Sequence, residues 1–351
     1  MKNITPAVFA ALVSAILFGA STPFAKQLLN GVSPQLLAGL LYLGSGAGLI
    51  FARIIRDRGW RHSSLLPHEL PWLIGSIIFG GIIAPTLLMV GLVSTEASSA
   101  SLLLNLETVF TAILAWLAFK ENTNRRIVIG MLFIIAGGAV LSWPHGHKVQ
   151  LEWLGPFAIA GACFCWAIDN NLTRRVSGSD ALYIAGSKGL VAGIVNTSLA
   201  FALGATFPSW LMMNSAFVLG FFSYGISLVL FVLALRGLGT SRTSAYFSTA
   251  PFIGAFIAIM FFHEPAPGFF WISAVLMGIG VLLHLTEQHD HRHTHESLFH
   301  NHRHVHDDHH QHEHDFPWDG KEPHSHAHQH EEIIHSHPHY PDIHHRHKHG
   351  S

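Results

Sequence analysis

The chain has 351 residues, of which 50% are hydrophobic and only 12% charged, with a formal net charge of −1 and 29 His. So little charge excludes an ordinary soluble domain, two Cys exclude a disulfide scaffold, and the even charge balance leaves no basic face for nucleic acid. The average conceals two parts: residues 289–351 hold 23 of the 29 His, and the first 288 residues are almost free of charge.

A helix crosses the hydrocarbon core with about 20 mostly apolar residues. Such runs lie near 6–28, 34–55, 70–93, 97–119, 127–144, 153–173, 181–204, 211–235, 241–262 and 268–287. The fold class expected is therefore an all-α membrane protein of ten transmembrane helices in a lipid bilayer, followed by a disordered tail. The connections are short, so no extramembrane domain is large enough to be an enzyme. The first run carries Pro23 and Lys26 and is followed by further spans, so it reads as a retained helix and not a signal peptide. With the N-terminus inside, twelve Lys and Arg, including Arg53, Arg56 and Arg125, fall on the inner side, against Lys26 and Lys148 outside. That bias predicts an inner-membrane, multi-pass chain with both termini cytoplasmic.

Two segments resemble each other, 6–144 and 153–287. Ala115–Glu121 closes the fourth span as Ala258–Glu264 closes the ninth, Gly137 matches Gly280, Phe18-Gly19 matches Trp166-Ala167, and Lys26 falls opposite Arg174. Five spans per repeat is an odd number, so the second copy would be inverted, as in secondary transporters. The stretch Ser223–Glu264, with ALVSAILFG and LFGASTPFAKQLL in the first span, resembles the EamA family of the drug/metabolite transporter superfamily over roughly 6–286. The resemblance implies two inverted five-helix repeats and ATP-independent export of a small-molecule substrate such as an amino acid. The chain departs from the commoner pattern at Asn105–Phe110, where many members carry Pro; the ninth span keeps Pro251.

Charged side chains at membrane depth usually face a cavity or a partner. Glu107 stands near the middle of the fourth span, close to Asn105; Asp169 is in the sixth span with Asn170 and Asn171; Lys188 is two turns into the seventh; Tyr246 and Ser248 precede Pro251 in the ninth. These six, Glu107, Asn105, Asp169, Lys188, Tyr246 and Ser248, form the candidate substrate site. Glu107 would carry a proton or meet an ammonium group, and Lys188 would meet a carboxylate, so a zwitterion would satisfy both. The bland alternative is a structural pair between Lys188 and one of the acids. Glu121 and Glu264 read as structural, and Cys163 and Cys165 as small apolar residues.

The tail, 289–351, alternates His with other residues: His289, His291, His293, His295; His300, His302, His304, His306; His324, His326, His328, His330; His335, His337, His339. Neutral imidazole at this density supplies many sets of two to four ligands for divalent Zn, Ni, Co or Cu. The tail is too polar to fold alone, which predicts disorder until metal binds. A pH-responsive tail is the rival reading. Transport needs no cofactor on this account, and a homodimer is compatible with it. Transport of the metal itself, with the tail feeding the pore, ranks second because no span carries His, Asp or Glu clusters at helical spacing; a receptor or scaffold ranks third.

Overall fold

The computed structural model describes residues 4–59, 65–119, 125–143, 153–176, 179–285, 289–295, 298–304, 324–330 and 333–339. It divides into two units, Met1–Thr286 and Glu287–Ser351.

The first unit is helical. Its helices are α1 Ile4–Leu28, α2 Pro34–Asp57, α3 Leu70–Ser76, α4 Ala84–Ser94, α5 Ala97–Leu103, α6 Leu106–Phe119, α7 Arg125–Ser142, α8 Leu154–Val176, α9 Ala181–Ala202, α10 Trp210–Gly220, α11 Ser227–Phe247, α12 Ala250–Phe262 and α13 Gly268–Leu285. Two π-helical segments, Ile77–Ile83 and Phe221–Ile226, join α3 to α4 and α10 to α11. Among the described residues eight helical stretches are long and apolar enough to cross a membrane, and Ala250–Phe262 is apolar but shorter. The sixth predicted span forms a 23-residue helix, α8, whose C-terminal part is made polar by Asp169, Asn170, Asn171 and Arg175. Ten spans were expected; among the described residues eight stretches meet the length and hydropathy of a full crossing.

Local chemistry sets the boundaries. Pro34 starts α2 at a position where its missing N–H costs nothing. Asp180 caps α9 by accepting from Leu182 N at 3.1 Å. Although Ser227–Phe247 is helical throughout, the rings of Phe231 and Phe247 lie 4.9 Å apart. A straight helix would separate them by about 24 Å, so the chain turns back within α11, and the predicted eighth and ninth spans are distinct arms.

The fourth predicted span is not one helix. It breaks at Leu104–Asn105, where the bonds tighten to Leu104 N→Ser101 O (3.2 Å) and Asn105 N→Leu102 O (3.0 Å). The chain breaks again at Ser248–Thr249, ahead of Pro251. Pro251 explains the second break. At the first, Asn105 donates its own Nδ2 to Leu102 O at 2.9 Å, a side-chain competitor for the backbone ladder.

Packing follows a reciprocal scheme. Helix α1 lies on α11 and α12, and α8 lies on α4 and α6; α2 crosses α9, α7 crosses α13, and α5 crosses α12. The core holds Leu36, Leu41, Met89, Ile159 and Met277, all fully buried. The outside is as apolar as the inside: Phe51, Leu117, Phe157, Leu211, Phe261 and Val275 are all exposed. Water would not tolerate that belt on a monomer; hydrocarbon does.

In the second unit, where composition predicts disorder, the described backbone is extended. β1 His289–His295 pairs antiparallel with β4 Ile333–His339, and β2 Leu298–His304 pairs antiparallel with β3 His324–His330. Alternation at period two is the period of a strand. The register places His291 opposite His337 and His302 opposite His326. His306 lies outside the described residues.

Candidate functional site

Glu107 sits in the first turn of α6, directly after the break, at the end of the helix whose dipole favours negative charge. It is half-buried, and its Oε1 accepts a hydrogen bond from Asn170 Nδ2 on α8 at 2.7 Å. The buried Oδ1 of neighbouring Asn105 has no hydrogen-bond partner.

One residue before Asn170, Asp169 points about a quarter-turn away. Its Oδ2 is ion-paired with Lys188 Nζ of α9. Its Oδ1 accepts from Ser76 Oγ at 2.5 Å and from Thr173 Oγ1 at 3.0 Å. Both members of the pair are buried. Lys188, expected to meet a substrate carboxylate, is thus already matched by Asp169.

The first π-helical segment makes room for this pair. A Cβ on Gly80 would overlap the Asp169 carboxyl group. The altered hydrogen bonding of the segment also leaves carbonyls to be met from outside. Gly80 O accepts from Tyr42 Oη at 2.7 Å and Trp166 Nε1 at 3.2 Å, and Gly81 O accepts from Asn196 Nδ2 at 3.1 Å. Phe18 packs its ring against Trp166 (6.3 Å), Tyr224 (5.9 Å) and Phe247 (5.3 Å), and Tyr42 lies 5.4 Å from Tyr224. The residues aligned by the sequence repeat, Phe18 and Trp166, are therefore in contact. Tyr224, on the second π-helical segment, has its hydroxyl buried beside Ser21.

The other two candidates flank Phe247, whose ring packs on Phe18. Tyr246 packs with the Ala10, Ala11 and Ala234 cluster, and Ser248 lies in the turn between α11 and α12. Cys163 and Cys165 are free and buried. Among the described residues no group of three or more His, Cys, Asp or Glu could hold a metal ion. Sequence reading missed Ser76, Thr173, Tyr42 and Trp166. Hydroxyls and single aromatics occur in most spans and give no signal until their partners are known.

At one end of the bundle the turn between α4 and α5 is held by two charges. Lys26 Nζ donates to Leu92 O (2.6 Å) and Thr95 O (2.9 Å), at the C-terminus of α4. The Glu264 carboxylate accepts from Ala97 N (2.9 Å) and Ser98 N (2.7 Å), at the N-terminus of α5. Both signs suit the helix dipoles. Glu264 thus does structural work, and Glu121 lies outside the described residues. The end of α2 is tied to the start of α9: Asp180 accepts from Arg56 Nη2 at 2.6 Å and from Arg53 Nε at 3.1 Å. Burial pushes the Asp180 carboxyl up, but the Arg56 and Arg53 guanidinium groups outweigh it and hold it at about 2.

Comparison with known proteins gives a consistent picture. An uncharacterized transporter of Methanothermobacter thermautotrophicus is 28% identical over 287 residues, covering 78% of this chain and 84% of that one. The uncharacterized transporter YyaM of Bacillus subtilis is 26% identical over 280 residues, covering 76% and 90%. One solved crystal structure superposes with a TM-score of 0.60 over 80% of this chain and 98% of its own, at 19% identity, a likeness of fold alone. The EamA-like transporter family matches twice, over residues 5–143 and again over 153–286. This multi-pass membrane protein belongs to the EamA-like transporter family.

Proposed function

We propose that the chain is a secondary transporter that exports a small polar metabolite bearing an amino group, the class that includes amino acids. Its two family-matching segments act as inverted repeats around a central site. It sits in the inner membrane with both termini cytoplasmic. The observation that carries this reading is the pair of helix breaks, Leu104–Asn105 and Ser248–Thr249, one in each matching segment, with Glu107 at the head of the first. Broken helices at membrane depth expose backbone groups and helix ends to a solute, and they mark the binding region of many secondary transporters. The reciprocal packing of α1 on α11 and α12, and of α8 on α4 and α6, supports two halves that can rock against each other.

In this mechanism Glu107 is the one group that changes partner. Its carboxyl holds either a proton or the substrate's ammonium group, so export of one is exchanged for entry of the other. Asn170 keeps the carboxyl aligned. The Asp169–Lys188 pair ties α8 to α9 and stays closed throughout the cycle.

The tail is proposed to bind divalent metal through its alternating His, supported by the His-opposite-His register of its two ladders. The test is uptake into proteoliposomes of an amino-acid and amine panel, and separately of Ni, Co and Zn, by the whole chain and by a chain lacking residues 289–351. Solute flux is expected to survive loss of the tail. Metal flux that disappears in Glu107→Gln would replace this reading with metal transport. Failure of the tail to bind any divalent ion at neutral pH would remove its proposed role.

A further inference from the structure

Among the described residues the buried and half-buried charges of α6, α8 and α9 do not balance, and the imbalance says what the substrate carries. Asp169 and Lys188 neutralise each other, and the second oxygen of Asp169 is taken by Ser76 and Thr173. Glu107 accepts a hydrogen bond from Asn170, and among the described residues no Lys, Arg or His forms an ion pair with it. Glu107 is half-buried and Asn170 exposed, so this carboxyl is reachable while the Asp169–Lys188 pair is closed. Among the described residues of this group, what remains open to a ligand is the one negative charge of Glu107.

A zwitterion would bring its own carboxylate toward Glu107, and Lys188, the buried lysine among the described residues, is already held by Asp169. Like charges at short range in a weakly polarisable interior repel by several times their energy in water. A solute with an ammonium group and no carboxylate meets no such penalty. The same two helices that carry Glu107 and Asn170 also supply an aromatic wall. Phe110 lies one turn beyond Glu107, and its ring meets that of Phe164 of α8 edge-to-face at 5.5 Å. Aromatic faces attract an organic cation and pack its hydrocarbon part.

We infer that the site selects an organic ammonium ion without a carboxylate, with Glu107 as its counter-ion, Asn170 as the positioning residue and the Phe110–Phe164 pair against its apolar part. The inference narrows the substrate class proposed above and rests on that reading only for the transport step. Binding at Glu107 can therefore be tested apart from flux.

The experiment is carbodiimide labelling of Glu107 in the full-length reconstituted chain, read by peptide mass spectrometry, with butylammonium, norvaline and butyrate as matched cation, zwitterion and anion. Butylammonium is expected to protect Glu107. At ten times Kd, simple occupancy slows labelling about tenfold. Norvaline and butyrate are expected to leave the rate unchanged, and Asn170→Ala to weaken protection several-fold. Equal protection by norvaline, or none by any amine from methylammonium to phenethylammonium, overturns the inference. Equilibrium dialysis with radiolabelled butylammonium gives a second reading: binding is lost in Glu107→Gln, and its retention overturns the inference too. Protection without flux in proteoliposomes would instead refute the transporter reading and leave the cation site standing.

Discussion

Replacing Lys188 with Met is expected to destabilise the bundle far more than replacing both Lys188 and Asp169 together. The single change strands the Asp169 carboxylate among α3, α8 and α9 with only the Ser76 and Thr173 hydroxyls to meet it. Breaking one side of a buried pair costs about 3–5 kcal/mol, and protonation of the stranded carboxyl limits the loss to the lower end. In the double variant Lys188→Met with Asp169→Asn, the amide oxygen still accepts from both hydroxyls and no charge is buried, so most of the stability returns. Thermal unfolding in detergent, followed by size-exclusion chromatography, reads both variants. A single variant as stable as the parent would mean that the pair contributes no net stabilisation. Flux through the double variant separates roles: on this account it is retained, because the pair ties helices and does not bind solute.

The second large effect is expected where α2 crosses α9. A Cβ on Gly189 would lie 2.7 Å from Gly46 N and 2.8 Å from Gly46 Cα, both backbone atoms that cannot rotate away. Small residues at such crossings let membrane helices approach until their backbones touch. Gly189→Val forces the helices apart, and overpacking of this kind costs about 3 kcal/mol. It also pulls on Lys188, its immediate neighbour in α9. The expected outcome is loss of a monodisperse peak and of the folded transition. Gly278→Ala is the control: the nearest atom to a new Cβ there is the Phe252 ring edge at 4.0 Å, so it should be neutral. A normal elution profile for Gly189→Val would contradict a backbone contact between Gly189 and Gly46.

Much of this architecture is legible in the sequence because lipid enforces a simple rule: a long apolar run must satisfy its own backbone as a helix. Glu107, Asp169 and Lys188 are equally legible, since a charge stands out within an apolar run. Their partners are not. Periodicity says nothing about whether Lys188 reaches Asp169 or a solute, because the answer depends on how α8 and α9 are set against each other. The break at Leu104–Asn105 carries no Pro or Gly, and Asn105 alone does not announce it. The π-helical segments are hidden too: Gly80-Gly81 reads as close packing, yet its carbonyls are acceptors for Tyr42, Trp166 and Asn196. In the tail, low hydropathy argues for disorder while strict alternation argues for strands, and composition cannot rank the two.

The claim that Glu107 is the transporting group is tested most directly by amine flux into proteoliposomes under an imposed pH gradient, with the parent chain and Glu107→Gln compared side by side. Gln keeps the shape and the hydrogen bond from Asn170 but holds neither a proton nor a counter-ion charge. The account predicts that Glu107→Gln folds and reconstitutes like the parent and carries no gradient-driven flux. Flux at the parental rate in Glu107→Gln would contradict it.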